Sequence, residues 1–301
     1  YSISDPAAWQ LINPILAENG GWALFNGTPR GENHFYKLLL RAQSEGSWFS
    51  SHLSVKDTKA IAADEIRKAR SELNNEARFQ SEYMCSFKTP VEGAYYGAQI
   101  NKAYKDKRVV ETIAVDPLLP VHTAWDLGMD DATTIWFLQL FKSEVRIVNY
   151  YENSGEGLPH YARHLHTWAS QKDVTYGKHY APHDIKVREL GTGKSRLETA
   201  RGLGLKFTTV KKLSIIDGIE AVRNLLNRCW FSKNDCYAGI EALKGYHKEF
   251  DSSRGVFRKT PVHDKNSHGA DAFRTLAVGL KQPSFSKHKQ TNEYQVKSLN
   301  W

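Results

Sequence analysis

The second half of the chain alternates short apolar runs with polar turns. Three strand-like runs follow one another closely, at 121–125, 133–141 and 144–151. The turns that separate them are short and polar, at 130–131 and 142–143. Apolar runs bounded by such turns indicate strands, and connections this short join antiparallel neighbours. The pattern therefore predicts an antiparallel meander of three strands.

Helices and further strands alternate after the meander. The pattern predicts helices at 158–169, 195–203, 215–228, 237–249 and 268–280, and strands at 179–184 and 206–210. Ser195 is a predicted helix cap, with Glu198 at the capping-box position. Three antiparallel strands, a helix, a fourth strand and a closing helix describe an α/β, ribonuclease H-like (RuvC-like) fold, a mixed sheet with flanking helices. In that order the first and fourth strands are neighbours, and the last helix crosses above their tips.

The first half of the chain predicts a different α/β layer. A short amphipathic segment within 1–20, with Pro6 at a helix start, precedes a buried strand at 22–26, a Gly-Thr-Pro loop and a helix at 34–43. Residues 56–82 are highly charged and helical in pattern, and 82–97 predict an aromatic-rich strand and turn. We therefore predict one domain at 1–112, a second at 113–281 and a polar tail at 282–301.

Composition narrows the class of protein. With 41% hydrophobic and 25% charged residues, the chain is typical of a soluble globular protein. Its net charge of +8 favours a polyanionic partner. The three cysteines form neither a pairwise framework nor a zinc pattern, so we expect reduced thiols in a cytosolic compartment. We find no apolar run that approaches the roughly 20 residues of a membrane span, and no signal peptide.

Three aspartates fall where a metal site could form. Asp126 ends the first strand of the meander, Asp184 ends the fourth strand, and Asp271 lies in the first turn of the last helix. Each alone has an ordinary interpretation, as an acid of a hairpin turn, a turn residue or a helix-start acid favoured by the dipole. Together, converging carboxylates would repel one another unless divalent cations lay between them. Oxygen ligands suit Mg²⁺ or Mn²⁺, and two such ions can promote hydrolysis of a phosphodiester.

Other polar residues could support this site. Asp131, and Asp130 beside it, could add an outer metal ligand or could be turn acids. His183 and His268 adjoin two of the aspartates and could bind a phosphate or relay a proton, although an ordinary polar role also fits. Basic residues between 186 and 212 could follow a DNA backbone or form a solvated charged loop, namely Lys186, Arg188, Lys194, Arg196, Arg201, Lys211 and Lys212.

One glycine-rich segment imitates a nucleotide-binding loop. Residues 191–195 read Gly-Thr-Gly-Lys-Ser, the end of a P-loop. The first glycine of that motif would stand at position 188, which is Arg188. We therefore expect a basic, flexible loop near DNA rather than a nucleotide site.

Several segments together resemble the large subunit of tailed-bacteriophage terminases. The resemblance rests on Thr123-Ala124-Trp125-Asp126-Leu127-Gly128, Asp131-Ala132-Thr133-Thr134, Ala181-Pro182-His183-Asp184 and His268-Gly269-Ala270-Asp271-Ala272-Phe273-Arg274. These segments are similar to the nuclease domain of that family. In the first half, 23–31 is similar to the coupling motif that follows the Walker B strand of the terminase ATPase, and 83–87 to the end of that domain. The likeness covers most of residues 20–280.

The resemblance implies a metal-dependent endonuclease that cuts concatemeric double-stranded viral DNA in the host cytoplasm. It implies Asp126, Asp184 and Asp271 as ligands of two Mg²⁺ or Mn²⁺ ions. It also implies an ATP-driven motor in the intact protein, with Gly27, Thr28 and Pro29 coupling nucleotide to movement. The implied partners are the small terminase subunit and the portal protein, with a homo-oligomeric ring in the motor.

One departure limits what the resemblance carries over. The chain starts at Tyr1, after the place where a phosphate-cradling loop and a Walker B acid would stand. We therefore expect a fragment without ATPase activity. A resolvase or transposase of the same fold and a non-catalytic, DNA-gripping part of a motor remain alternatives, although the Gly-Thr-Pro half has no place in the first.

Overall fold

A computed structural model describes residues 7–31, 33–73, 75–88, 93–128, 132–188, 193–251 and 256–281. Its helices are α1 (Ala7–Asn19), α2 (His34–Ser44), α3 (Val55–Thr58), α4 (Ala63–Leu73), α5 (Glu76–Glu82), α6 (Gly97–Lys105), α7 (Leu158–Lys172), α8 (Arg196–Gly202), α9 (Ile215–Leu226), α10 (Lys233–Gly245) and α11 (Lys265–Lys281). Its strands are β1 (Val109–Val110), β2 (Val121–Asp126), β3 (Thr133–Phe141), β4 (Glu144–Asn153), β5 (Tyr176–Ala181), β6 (Phe207–Thr209), β7 (Cys229–Ser232), β8 (Lys248–Asp251) and β9 (Val256–Pro261).

A mixed seven-stranded sheet forms the centre of the structure. The strand order is β1-β7-β4-β3-β2-β5-β6, and β8 pairs with β9 in a separate hairpin. Strands β2, β3 and β4 form an antiparallel meander. The other neighbours within the sheet are parallel, including β2 with β5. The predicted meander and the predicted β2–β5 pairing are confirmed, and with them the ribonuclease H-like α/β fold.

Helices cover both faces of the sheet because its central strands are apolar on both sides. On one face, side chains such as Ala124 and Trp136 pack against α6, α9, α10 and α11. On the other, Trp125 and Phe137 pack against α7 and α8. Successive side chains of a strand point to opposite faces, so neighbouring residues of β2 enter different cores.

Several predicted elements in this part are corrected. The helix predicted at 237–249 is α10, which ends at Gly245, and β8 follows it. The hairpin β8–β9 and the short strands β1 and β7 have no predicted counterpart. Asp184 lies in a 3-10 helix, His183–Lys186, just after β5 rather than at the end of the strand. Helix α11 begins at Lys265, so Asp271 lies in its second turn and not in its first.

In the described residues before β1, the regular elements are the helices α1 to α6. The strand predicted at 22–26 is wrong: this segment is irregular, and Trp22 and Leu24 are 82% and 79% exposed. A strand needs a neighbour for its backbone hydrogen bonds, and the described residues provide none there. The aromatic strand predicted within 82–97 is absent from 82–88 and 93–97, and residues 89–92 lie outside the described residues. Ala94 makes only an isolated bridge to His247 before α6 begins.

The division at residue 112 stays a prediction. Helix α6 packs into the core of the seven-stranded sheet, and β1 is one of its strands. The predicted tail, 282–301, lies outside the described residues, as do Asp130, Asp131, Gly191 and Thr192. None of the helices that the structure describes is long and apolar enough to cross a bilayer.

Candidate active site

One edge of the sheet collects the predicted site residues. Strands β2, β4, β5, β6 and β7 run in the same direction, so their carboxyl ends meet at this edge, which we call the functional edge. Asp126 is the last residue of β2. Because Ala124 faces the α11 side of the sheet, Asp126, two residues later, faces that side as well.

Two hydrogen bonds hold the start of α11 on the sheet. The Thr134 hydroxyl donates to the carbonyl oxygen of His268 at 2.9 Å, and Trp136 Nε1 donates to that of Gly269 at 2.8 Å. A Cβ at Gly269 would stand only 2.8 Å from the Tyr150 hydroxyl. Glycine is therefore needed at position 269 for this close approach.

The approach of α11 brings three predicted residues together. His268 Nδ1 lies 3.6 Å from Asp126 Oδ2. The pKa of Asp271 is raised to about 6, mainly by burial and in smaller part by the negative charge of Asp126, although Arg274 and His268 act in the opposite direction. Asp126 and Asp271 are thus close enough to repel each other. Both side chains are half-buried, and a partly desolvated pair of like charges is costly without a cation between or beside them.

Arg274 and Tyr246 hold the carboxylate of Asp271 from its other side. Arg274 Nη1 lies 3.0 Å from Asp271 Oδ1, and the Tyr246 hydroxyl lies 3.5 Å from the same oxygen. The Arg274 side chain passes α9 at Gly218, where any Cβ would collide with it. Asp271 is therefore fixed within the fold and is not an ordinary exposed helix acid.

Asp184 reaches the functional edge by a different route. Strand β5 lies beside β2 in parallel, with Ala124 opposite Tyr180, and Asp184 follows four residues after Tyr180. Its side chain is exposed. Among the described residues, no group of three acids, histidines or cysteines is disposed to hold a metal ion. Asp271 and His268 lie near Asp126 without forming such a group, and Asp184 stands at the same edge without joining them. His183 is exposed there.

Most of the predicted basic residues lie on the β5–β6 side of the functional edge. Lys211 and Lys212 follow β6 and are exposed, as are Lys186, Arg188 and Lys194. Arg188 forms a β-bridge with Ser195, whose predicted capping box with Glu198 is confirmed. Arg196 Nη1 donates to the carbonyl oxygen of Leu127 at 3.1 Å, next to Asp126. This contact places one basic residue at the backbone that follows Asp126.

The predicted coupling motif lies elsewhere in the chain. Gly27 is exposed, Thr28 is half-buried and Pro29 is buried, and no strand precedes them in the described residues. The neighbouring Arg30 pairs with Glu82 at 3.0 Å. A role in nucleotide coupling stays a prediction.

Sequence reasoning missed three residues beside the carboxylates. Arg274 is one of them, and its i,i+3 spacing from Asp271 is a signal that the sequence contains. Glu152 lies in register with Thr134, which is itself in register with Asp126, so the three form one row across the sheet. Tyr246 has no signal in the sequence, because only the packing of α10 against α11 brings it to Asp271.

Comparisons with known proteins agree with the resemblance predicted from the sequence. No protein-family model matches the chain. The terminase large subunit of Escherichia phage T5 is 23% identical over 277 residues, 87% of this chain and 59% of that protein. The chain resembles a phage terminase large subunit. This likeness confirms the predicted resemblance, and the chain spans little more than half the length of the T5 protein.

Solved structures of similar proteins include two terminases. A large terminase from a thermophilic bacteriophage has a TM-score of 0.49 at 19% identity, over 90% of this chain and 66% of that chain. The large terminase nuclease of another thermophilic phage, G20c, solved with bound magnesium, has a TM-score of 0.41 at 16% identity, over 61% of this chain and 98% of that chain.

Proposed function

We propose that the chain is a metal-dependent endodeoxyribonuclease of a phage DNA-packaging terminase, which cuts concatemeric double-stranded DNA. The observation that carries this proposal is the juxtaposition of Asp126 and Asp271 at the functional edge, where the charge of Asp126 raises the pKa of Asp271 in addition to burial. The likeness to the T5 terminase large subunit supports the family.

The donor set fits a hard divalent cation. Asp126, Asp184 and Asp271 would hold two Mg²⁺ or Mn²⁺ ions, and Asp131 is a further candidate ligand. All of these ligands offer oxygen atoms, which such ions prefer. When bound, the ions would activate a water molecule and stabilise the charge that develops on the phosphodiester.

The remaining residues of the edge bind and orient the substrate. Arg196, Lys211 and Lys212, with Lys186, Arg188 and Lys194, contact the phosphate backbone without reading bases. His268, close to Asp126, holds a proton or meets a phosphate oxygen. The products would carry 5′-phosphate and 3′-hydroxyl ends.

Within the intact protein this nuclease serves a motor. Residues 1–112 would belong to an ATPase domain, in which Gly27, Thr28 and Pro29 couple nucleotide hydrolysis to DNA movement. The small terminase subunit, the portal protein and further copies of the chain in a ring would be its partners. The site of action would be the host cytoplasm.

Removal of metal provides the direct test. The 301-residue chain is incubated with supercoiled plasmid and Mn²⁺ or Mg²⁺, with and without a chelator. We expect nicked and linear products with either ion and none with the chelator. Cleavage that persists in the chelator would contradict a metal-dependent mechanism.

A non-catalytic, DNA-gripping role is the second candidate. It is favoured by the exposed position of Asp184, which leaves no described group of three metal-binding side chains. In that case the chain would retain the plasmid in a gel-shift assay and would leave it supercoiled in every metal.

A further inference from the structure

Tyr246 occupies an unusual position beside the candidate site. It follows α10 directly and is 1% exposed. Its hydroxyl lies 3.5 Å from Asp271 Oδ1, the oxygen that Arg274 Nη1 approaches at 3.0 Å. Two donors therefore lie near the same oxygen of the Asp271 carboxylate. Groups that orient metal-ligating side chains in this way often affect metal binding strongly.

Tyr246 is suited to act as a donor. A phenol hydroxyl carries its proton at neutral pH. A protonated phenol can donate to a carboxylate oxygen and fix its direction.

A second buried tyrosine holds Tyr246 in place. The ring of Tyr96 stacks on that of Tyr246, with centroids 5.7 Å apart and planes inclined by 19°. Tyr96 is 0% exposed, and its hydroxyl has no hydrogen-bond partner among the described residues. An unpaired buried hydroxyl lowers stability, so the Tyr96 hydroxyl does not explain why a tyrosine is accommodated here. The ring and its stacking provide the stabilisation.

Main-chain contacts fasten the same pair. The backbone N–H of Tyr95 donates to the carbonyl oxygen of Tyr246 at 2.9 Å, and that of Lys248 donates to Gly93 at 3.1 Å. Arg223 Nε, from α9, donates to the carbonyl oxygen of Tyr95 at 3.0 Å. The segment 93–96 is thus clamped against the residues that follow α10, immediately behind Asp271.

We propose that Tyr246, held by the stacked ring of Tyr96, is a positioning residue that fixes Asp271 Oδ1 and so presents Oδ2 to a divalent cation. The inference rests on the proposed function. It assigns a part of the site to segment 93–96, which precedes the predicted nuclease domain at 113–281.

The test measures Mn²⁺ binding and plasmid cleavage by the full 301-residue chain. Tyr246→Phe removes the hydroxyl and keeps the ring, so we expect Mn²⁺ affinity, measured by calorimetry, to fall about tenfold. The Mn²⁺ concentration for half-maximal cleavage should rise by a similar factor. Tyr176→Phe is the matched control, since its hydroxyl donates to Leu165 on the other face of the sheet at 2.8 Å.

Two further variants separate positioning from a merely structural role. Tyr96→Leu removes the stacked ring and should weaken Mn²⁺ binding, whereas Tyr96→Phe keeps the ring and should retain the unaltered affinity. Melting curves without metal confirm that each variant folds.

The outcomes distinguish this inference from the proposed function. Unaltered Mn²⁺ affinity in Tyr246→Phe, while the parent chain binds Mn²⁺ and cleaves, would overturn the positioning role alone. Equal weakening by Tyr96→Phe and Tyr96→Leu would overturn the part assigned to stacking. If the parent chain neither binds Mn²⁺ nor cleaves, the proposed function fails, and the inference fails with it.

Discussion

Trp125 and Asp126 are neighbours in β2 and enter opposite faces of the same sheet. Trp125 is 0% exposed, and its indole Nε1 donates to the Thr123 hydroxyl at 2.7 Å. The Thr123 oxygen lies 2.7 Å from His179 Nδ1, and burial lowers the pKa of His179 to about 4. The neutral imidazole can therefore accept a hydrogen bond from the Thr123 hydroxyl. The indole, the hydroxyl and this ring nitrogen thus satisfy one another.

The face that carries Asp126 instead holds charges that are only partly compensated. Asp126 and Asp271 repel each other, and the pKa of Asp271 is raised to about 6 mainly because the carboxyl is buried. Arg274 and Tyr246 offset only part of this cost. Proteins tolerate such unfavourable charges where they serve a function. We therefore expect substitutions on the two faces to affect stability and chemistry in opposite ways.

The largest effect should come from Asp126→Asn. If Asp126 holds a metal ion, neutralising its carboxylate removes several kcal/mol of transition-state stabilisation. The rate of plasmid cleavage should therefore fall on the order of 10³-fold. Plasmid cleavage in Mn²⁺ measures the loss, and DNA retention in gel shifts should be unchanged. Asp217→Asn, at an exposed acid in the first turn of α9, is the matched control and should cleave normally. Undiminished cleavage by Asp126→Asn would remove the basis of the assignment.

Thr123→Val should disrupt the hydrogen-bond network on the face of the sheet that carries Trp125. The side chain keeps its shape and loses the hydroxyl, which leaves the Trp125 indole N–H and His179 Nδ1 without their partner. We expect the free energy of unfolding to fall by about 2 kcal/mol, with cleavage retained below the unfolding transition. Urea denaturation measures the change, against Thr167→Val at an exposed position of α7. An unchanged free energy of unfolding would show that the network contributes nothing.

Asp271→Asn should have the opposite effect on stability, since it should stabilise the chain at pH values above the pKa of Asp271. A carboxyl whose folded-state pKa is raised to about 6 favours folding at low pH and loses this contribution as the pH rises through 6. Without metal at pH 8 the variant should therefore be more stable than the parent by about 2 kcal/mol, and the difference should vanish near pH 4. Urea denaturation in a chelator at both pH values measures it. Cleavage should be lost. A variant that is less stable than the parent at pH 8 would contradict the inference that the charged carboxylate of Asp271 is unfavourable.

The smallest effect concerns DNA binding at the functional edge. Replacing Lys211 and Lys212 together by Gln should lower the slope of log affinity against log salt by about 2, since each phosphate contact contributes roughly 0.9. Fluorescence anisotropy over a salt series measures this slope. The control replaces Lys142 and Lys172, exposed lysines at the opposite edge of the sheet, and should leave the slope unchanged. Equal effects of both pairs would indicate binding by overall charge alone.

Much of the fold was predictable because its signals are local. Polar turns between apolar runs identified the β2–β4 meander, and the capping box at Ser195 identified the start of α8. The strands β1 and β7 are two and four residues long, too short for a period to be recognised. The segment 22–26 has the composition of a strand, but composition does not supply a pairing partner, and its side chains Trp22 and Leu24 are exposed.

The sequence by itself determined the order of most elements and the identity of the acids, because turns, caps and apolar periods are written in neighbouring residues. Only the tertiary structure decided which charges meet. Gly269 lets α11 approach Tyr150 closely, and this approach brings Asp271 within reach of Asp126 and Tyr246. The burial that raises the pKa of Asp271 arises from side chains distant in sequence, so no local pattern could have revealed it.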